Sequence, residues 1–396
     1  YRAWLAALPA DMPLSLYLHV PFCHQLCWYC GCHTAVANGY HRIAAYVALL
    51  RREIALLGEA LGPKENGRRP VTGLHWGGGT PSILSGEDFT AVMGQLGEVF
   101  DFQPGAELAI EIDPRHLTAK KAAALAAAGI NRASLGVQDV NPHVQQAINR
   151  VQPFETTASA ALTLRAAGIA ALNFDLMYGL PRQSLADVER TAALAAELRP
   201  DRISVFGYAH VPWMKKHQQM IETAELPGAE ARLAQAAAVE RVLLEHGYRT
   251  VGMDHFALPE DPLFRRAAAG KLRRNFQGYT TDQAEVLLGL GVSAIGTLPQ
   301  GYAQNDKDLV GYAKALEAGR LPLARGIALS AEDRLRRDII QALMCDFAVD
   351  LSVQAAAHGR PGFDFSDEIA RLEPLAAEGL VAIDGSRIRV TPEGRR

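Results

Sequence analysis

The apolar positions of the first half of the chain fall into short dense runs separated by longer Ala- and Leu-rich stretches. Six runs, Leu14–Val20, Leu74–Trp76, Leu108–Ile112, Ala133–Val137, Leu172–Met177 and Ile203–Tyr208, have the length and apolar content of buried strands. Between them Tyr40–Leu57, Phe89–Val99, Ala119–Ala128, Glu155–Ala167 and Leu185–Leu198 read as helices, with Gly58, Gly129 and Gly168 placed to cap three of them. Strands alternating with helices require crossover connections and a parallel sheet. The chain is therefore predicted to be an α/β protein built on an incomplete parallel (β/α)6 barrel.

A strand turns alternate residues to each face. That period puts Ala109, Glu111 and Asp113 together, then Ser134, Gly136 and Gln138, then Asn173, Asp175 and Met177. The polar members come late in each strand, at the carboxyl ends where parallel sheets carry their ligand sites. From Ser330 onward the pattern changes. Ala331–Met344 and Glu368–Glu378 read as helices, and Leu380–Thr391 as a hairpin turning at Asp384-Gly385. The chain is thus predicted to divide into a catalytic domain over 1–329 and a smaller, mostly helical, winged-helix-like domain over 330–396. The wing carries only Arg387 and Arg389, which argues against a nucleic-acid partner.

With 396 residues, 49% of them hydrophobic, the chain can bury a large core. Forty basic against forty-three acidic residues leave a net charge of −3, so an anionic ligand must be met by a local patch. No apolar run approaches the roughly 18 residues of a spanning helix, and Tyr1–Ala10 lacks the basic start of a secretory signal. A cytoplasmic protein with no membrane partner is expected. Because the first residue is Tyr, an upstream segment is expected too.

Four of the five cysteines, Cys23, Cys27, Cys30 and Cys32, lie within ten residues directly after the first strand, and Cys345 stands alone. Thiols this close point to a soft-metal site rather than a disulfide framework. Zinc knuckles usually space two cysteine pairs further apart, although His24 and His33 are near enough to serve as ligands. Iron–sulfur cubanes are usually held by four thiolates. A loop that supplies three leaves one iron open to a cofactor. Trp76-Gly77-Gly78-Gly79-Thr80-Pro81 follows the second strand, and its glycines would let a ligand approach the backbone closely.

The spacing Cys23-x3-Cys27-x2-Cys30 resembles that of the radical S-adenosylmethionine (radical SAM) superfamily. Tyr17–Cys23, Cys30-Gly-Cys32, His75–Pro81, Glu111–Arg115, Gly136–Asp139, Asp175–Pro181, Gly252–Ala257 and Asn275–Thr281 together resemble the oxygen-independent coproporphyrinogen III oxidases. The resemblance implies a barrel of the radical SAM type and a [4Fe-4S] cluster on Cys23, Cys27 and Cys30, with Cys32 a family marker. It implies one S-adenosylmethionine near Tyr17, Gly78, Glu111 and Ile295, and a second near Tyr29, Gly79, Thr80, Gln138, Arg150, Asp175 and Ala209. The reaction implied is oxidative decarboxylation of two propionates of coproporphyrinogen III to vinyl groups, through a 5′-deoxyadenosyl radical. Hydrogen leaves as an atom, so no side chain is nominated as general acid or base.

A tetrapyrrole with four carboxylates needs fixed cations, for which Lys215, Lys216, Arg273 and Arg274 are candidates. His19, His75, His210 and His255 recur beside the motifs. A low-potential electron-donor protein is the implied partner, and a monomer the implied state. The family usually extends beyond both ends of this chain. Two other readings stay open on the residues: a haem chaperone or haem-degrading relative, and a non-catalytic, metal-stabilised DNA-binding scaffold.

Overall fold

All six runs are strands, most of them longer than their apolar cores: β1 Leu14–Val20, β2 Arg69–Gly78, β3 Phe100–Ile112, β4 Arg132–Gln138, β5 Ala171–Tyr178 and β6 Arg202–Gly207. The computed structural model describes residues 1–62 and 67–395. Helices α1 Tyr40–Ala60, α2 Gly86–Val99, α3 Ala119–Ala127, α4 Phe154–Ala166 and α5 Leu185–Glu197 connect them in turn, and α6 Ala229–Glu245 follows β6. Every neighbouring pair from β1 to β6 is parallel, as the alternation requires.

Local chemistry sets the helix ends. Ser85, Thr118 and Ser184 each accept a backbone N–H of the first turn of α2, α3 and α5. Gly129 and Gly168, at φ +92° and +96°, supply the left-handed residue that follows α3 and α4. Gly58 does not cap. It lies inside α1, where a Cβ would come 3.0 Å from Val99 Cγ2, so its glycine serves close packing against the end of α2.

The sheet also runs on past β1. Strand β7 Val286–Leu290 pairs parallel to β1, and β8 Ile295–Leu298, β9 Gly301–Asn305 and β10 Leu323–Ala328 add antiparallel. The order in this part is β10-β9-β8-β7-β1-β2-β3-β4-β5-β6. Glu53 of α1 helps fix the extension: it accepts from the Gly291 N–H at 2.7 Å, Asn305 Nδ2 at 2.6 Å and the Tyr312 hydroxyl at 2.6 Å.

The concave face of the sheet is layered by the period of two. Its lowest layer is ionic: Glu107 of β3 accepts from Arg202 of β6 at 3.1 Å and pairs with Arg132 of β4 at 3.0 Å. Above it Ser134, Asn173 and Ser204 are joined by hydrogen bonds of 2.8 and 3.2 Å. The cavity opens above that.

By its contacts the chain forms two compact units, Tyr1–Val242 with Ala284–Ala328, and Leu243–Gln283 with Leu329–Arg396. The chain passes between these units three times, after Val242, Gln283 and Ala328. In the second unit α7 Ala331–Asp346 starts on a capping box of Ser330 and Asp333 and packs with α8 Leu351–Ala357 around Leu335, Leu351, Phe365 and Ile388. Helix α9 Ser366–Ala377 follows, and β11 Ala348–Asp350, β12 Val381–Asp384 and β13 Arg387–Val390 form a three-stranded antiparallel wing. Asp384 pairs with Arg387, so the turn is Gly385-Ser386, one residue later than expected, with Gly385 at φ +58°. Leu243–Gln283 packs with α7 through Val251, Leu263, Tyr279 and Cys345.

Candidate active site at the carboxyl ends of the strands

The cysteine loop leaves the end of β1 and is held by backbone and side-chain bonds from distant parts of the first unit. Trp28 N–H donates to Ile148 O at 3.0 Å, and Asn149 Nδ2 to Leu26 O at 2.9 Å. From the segment after β6, Gln218 Nε2 donates to Tyr29 O at 3.0 Å, Lys215 Nζ to Cys32 O at 2.9 Å and His217 Nε2 to Cys30 O at 2.7 Å. Five carbonyl and amide groups of a short loop are thereby fixed, which sets where its sulfurs point.

Those sulfurs face polar hydrogens. Cys23 Sγ lies 3.1 Å from Thr34 Oγ1 and 3.4 Å from Thr80 Oγ1, and Cys27 Sγ lies 3.5 Å from Arg150 Nη1. A hydrogen bond from Cys32, opposed by burial, brings the Cys30 thiol down to about 7. Burial pushes the Cys23 thiol up. Among the described residues no three His, Cys, Asp or Glu side chains are placed to hold a single metal ion. Cys23, Cys27 and Cys30 instead line one cavity of about 440 Å³. Such a donor set suits a sulfide cluster: three thiols round a space, with hydroxyl and guanidinium donors aimed at their sulfurs. The buried Arg150 Nε has no hydrogen-bond partner among the described residues, as a side chain placed for an absent ligand would not.

The cavity wall is the upper layer of the sheet. Gly77, Gly78 and Gly79 lie at the end of β2, and all three are glycine because neighbouring protein leaves no room. A Cβ would come 2.8 Å from Glu111 Oε1 and Tyr17 Cε2 at Gly77, 2.8 Å from the His19 ring at Gly78, and 2.6 Å from Phe22 O at Gly79. Close packing against β1, and not only ligand approach, therefore explains the run. Glu111 accepts from the Gly78 N–H at 3.2 Å and lies 3.1 Å from His75 Nε2. Asp113 accepts from Arg115 Nη2 at 2.6 Å and faces Arg150 Nη2 at 3.6 Å. Burial pushes its carboxyl up, but the Arg115 bonds and both guanidinium charges win and hold it at about 2. Asp175 accepts from Ser134 Oγ and Asn173 Nδ2, both at 2.8 Å.

Gln138 ends β4 in the left-handed region at φ +67°, beside a register irregularity between Gly136 and Gln138. A non-glycine residue held there stores backbone strain, which commonly marks a functional position. Gly136 leaves room beside it: a Cβ would meet Gln138 Nε2 at 2.9 Å and Arg150 Nη2 at 3.0 Å.

Of the residues the sequence singled out, Cys23, Cys27, Cys30, Tyr29, Gly78, Gly79, Thr80, Glu111, Gln138, Arg150, Asp175 and Ala209 line this one cavity. Tyr17 and Ile295 stand outside its lining. Tyr17 is buried below Gly77, with its hydroxyl 3.0 Å from His19 Nδ1. Ile295 lies in β8, where its carbonyl oxygen would be 2.6 Å from a Cβ on Gly289, the β7 residue opposite Tyr17.

The histidines hold structure. His19 Nε2 meets His33 O at 2.8 Å, so that nitrogen carries the proton and Nδ1 accepts from Tyr17. His210 bonds Tyr208, and His255 bonds Asp254. Lys215 is engaged on Cys32 O, while Lys216 is exposed. Arg273 and Arg274 belong to the second unit, where Arg273 donates to Gln283 O and Arg274 lies over the Tyr279 ring. Arg115, Thr34 and His217 are contacts to the cysteine loop or its ion pair that sequence reasoning did not assign, and Lys215, named there only as a candidate cation for carboxylates, also holds that loop. Of the three unassigned residues, Arg115 alone lies inside a quoted motif, Glu111–Arg115.

Comparison with known proteins agrees with this geometry. Residues 17–195 match the model of the radical SAM superfamily, and residues 329–396 match that of the HemN C-terminal domain. An oxygen-independent coproporphyrinogen III oxidase of Bradyrhizobium diazoefficiens is 50% identical over 395 residues, covering 100% of this chain and 87% of the relative. One from Paracoccus denitrificans is 45% identical over 397 residues, covering 100% and 86%. The solved coproporphyrinogen III oxidase HemN of Escherichia coli, described as a radical SAM enzyme, superposes with a TM-score of 0.91 at 41% identity, covering 99% of this chain and 89% of that one.

Proposed function

We propose how the cavity works from one premise: the chain belongs to the oxygen-independent coproporphyrinogen III oxidases, within the radical SAM superfamily. It is an oxidoreductase of haem biosynthesis, and its reaction is the oxidative decarboxylation of two propionates of coproporphyrinogen III to vinyl groups. The family uses a [4Fe-4S] cluster and S-adenosylmethionine. In this reading Cys23, Cys27 and Cys30 hold the cluster. The observation that carries it is that these three thiols line one cavity with Glu111, Arg150 and Asp175.

When bound, the cluster and S-adenosylmethionine supply a 5′-deoxyadenosyl radical that takes a hydrogen atom from a propionate β-carbon. The chain's own residues bind and orient. Glu111, fixed by the Gly78 N–H, would receive the ammonium of one S-adenosylmethionine. Tyr17 acts from below, by setting the height of the glycine strip. Ile295 supports that arrangement from β8. Tyr29, Gly79, Thr80, Gln138, Arg150, Asp175 and Ala209 surround a second S-adenosylmethionine. Asp175 accepts from its hydroxyl or ammonium groups, and Arg150 pairs with its carboxylate. Asp113 stays ionised against Arg115 and Arg150, so it moves no proton at neutral pH.

Electrons come from a low-potential donor protein, and the enzyme works as a monomer in the reducing cytoplasm, without membrane or nucleic-acid partners. The decisive experiment is anaerobic reconstitution followed by reductant, S-adenosylmethionine and coproporphyrinogen III. About four iron per chain, vinyl product and 5′-deoxyadenosine are expected together. Deoxyadenosine formed without any change in the tetrapyrrole would move the assignment to another substrate.

A further inference from the structure

We propose that Arg232 binds a propionate carboxylate of the tetrapyrrole at the cavity rim, between the ends of β5 and β6. The assignment rests on the reading above of what the cavity processes. Arg232 lies in the opening turn of α6, the helix that follows the β6 end of the wall. Its guanidinium carbon stands 5.9 Å from the centroid of the Tyr178 ring. Two glycines leave the slot it occupies. A Cβ on Gly179 would come 3.0 Å from Cζ and Nη1, and one on Gly207 would come 3.2 Å from Nη2. Gly207 itself lines the cavity.

Arg232 is half-buried, yet among the described residues its guanidinium makes no hydrogen bond or ion pair. That is costly for a cation near the positive end of a helix, where charge of the opposite sign is favoured. Three neighbouring arginines and one lysine at this end of the first unit are already engaged. Arg115 and Arg150 face Asp113, Lys215 is on the Cys32 carbonyl, and Arg182 pairs with Glu225. A planar fork held over an aromatic face, with its donors free, is built to receive a carboxylate in bidentate fashion. The substrate brings four.

The test compares the reconstituted wild type with R232Q and R232K under anaerobic conditions. R232Q is expected to raise KM for coproporphyrinogen III by roughly 10- to 100-fold, as loss of a charged hydrogen bond does. Iron content and KM for S-adenosylmethionine should stay at wild-type values, and R232K should recover part of the affinity. Coproporphyrinogen tetramethyl ester, tried as a competitive inhibitor, should bind wild type and R232Q alike, because the charge that Arg232 meets is gone. An unchanged substrate KM in R232Q, or equal loss of iron and activity in both variants, would overturn the subsite. A wild type that forms no vinyl product would instead sink the reading of the cavity. Turnover by wild type separates the two failures.

Discussion

The two ends of the same strands bury charge in different ways. At the amino end of the concave face Glu107 sits between Arg132 and Arg202. Burial pushes its carboxyl up, but the two guanidinium groups win and hold it at about 2. At the carboxyl end Asp113 is likewise held at about 2 between Arg115 and Arg150. On the floor one carboxylate is shared by two guanidinium groups. At the top, by contrast, Arg150 also turns Nη1 to the Cys27 sulfur, which lines the cavity. One cluster pairs charge within the sheet, and the other also faces the cysteine loop and the cavity.

The sharpest way to separate them is to remove a sulfur. Cys27→Ser takes away a thiol that Arg150 faces and that lines the cavity. Iron bound after reconstitution should fall to background and vinyl formation should drop below detection, while the thermal midpoint of the apoprotein stays close to wild type. Thr34→Val, which removes only a hydroxyl 3.1 Å from the Cys23 sulfur, should weaken cluster retention by roughly 10- to 100-fold. Iron and sulfide analysis reads both. Full iron occupancy in Cys27→Ser would show that the loop does not hold the cluster.

The floor should answer in the opposite currency of folding. Glu107→Gln removes the carboxylate that two buried guanidinium groups share, a change that typically costs about 3–5 kcal/mol. Chemical denaturation should show that loss, while iron per folded chain remains at the wild-type level. An equal fall in iron content would mean that the floor also positions the cysteine loop.

The sequence makes the two ends unequal to a reader. The six parallel strands were legible because buried strands are continuous apolar runs, and the late polar residues were legible because alternation puts Glu111, Gln138 and Asp175 on one face. Strands β7 to β10 were missed: each has six residues or fewer, and glycines interrupt the alternation. Gly58 was misread because a helix-interior glycine needed for contact with Val99 looks the same as a cap. The floor was invisible, since Glu107 and Arg202 are 95 positions apart and no motif joins them. The clasp on the cysteine loop was hidden for the same reason, with Lys215 reaching Cys32 across 183 positions.

A third buried carboxylate sharpens the comparison because, among the described residues, its hydrogen-bond donors are all neutral. Glu53 receives three donors, from Gly291, Asn305 and Tyr312, but burial prevails and pushes its carboxyl up to about 7. Glu107 and Asp113, held low, stabilise the fold above their unfolded values near 4, and that stability is lost as pH falls through about 2. Glu53 has the opposite sign. The folded state keeps its proton more tightly than the unfolded chain does, so its contribution is full below about 4.5 and is lost as pH rises through about 7. That loss is on the order of 3 kcal/mol. Subtracting the unfolding free energies of Glu53→Gln from those of wild type cancels every other titrating group. The difference should decline steadily between pH 4.5 and 7 and be flat beyond. A difference independent of pH across that window would show that Glu53 ionises as readily in the fold as in water, with its three donors outweighing burial.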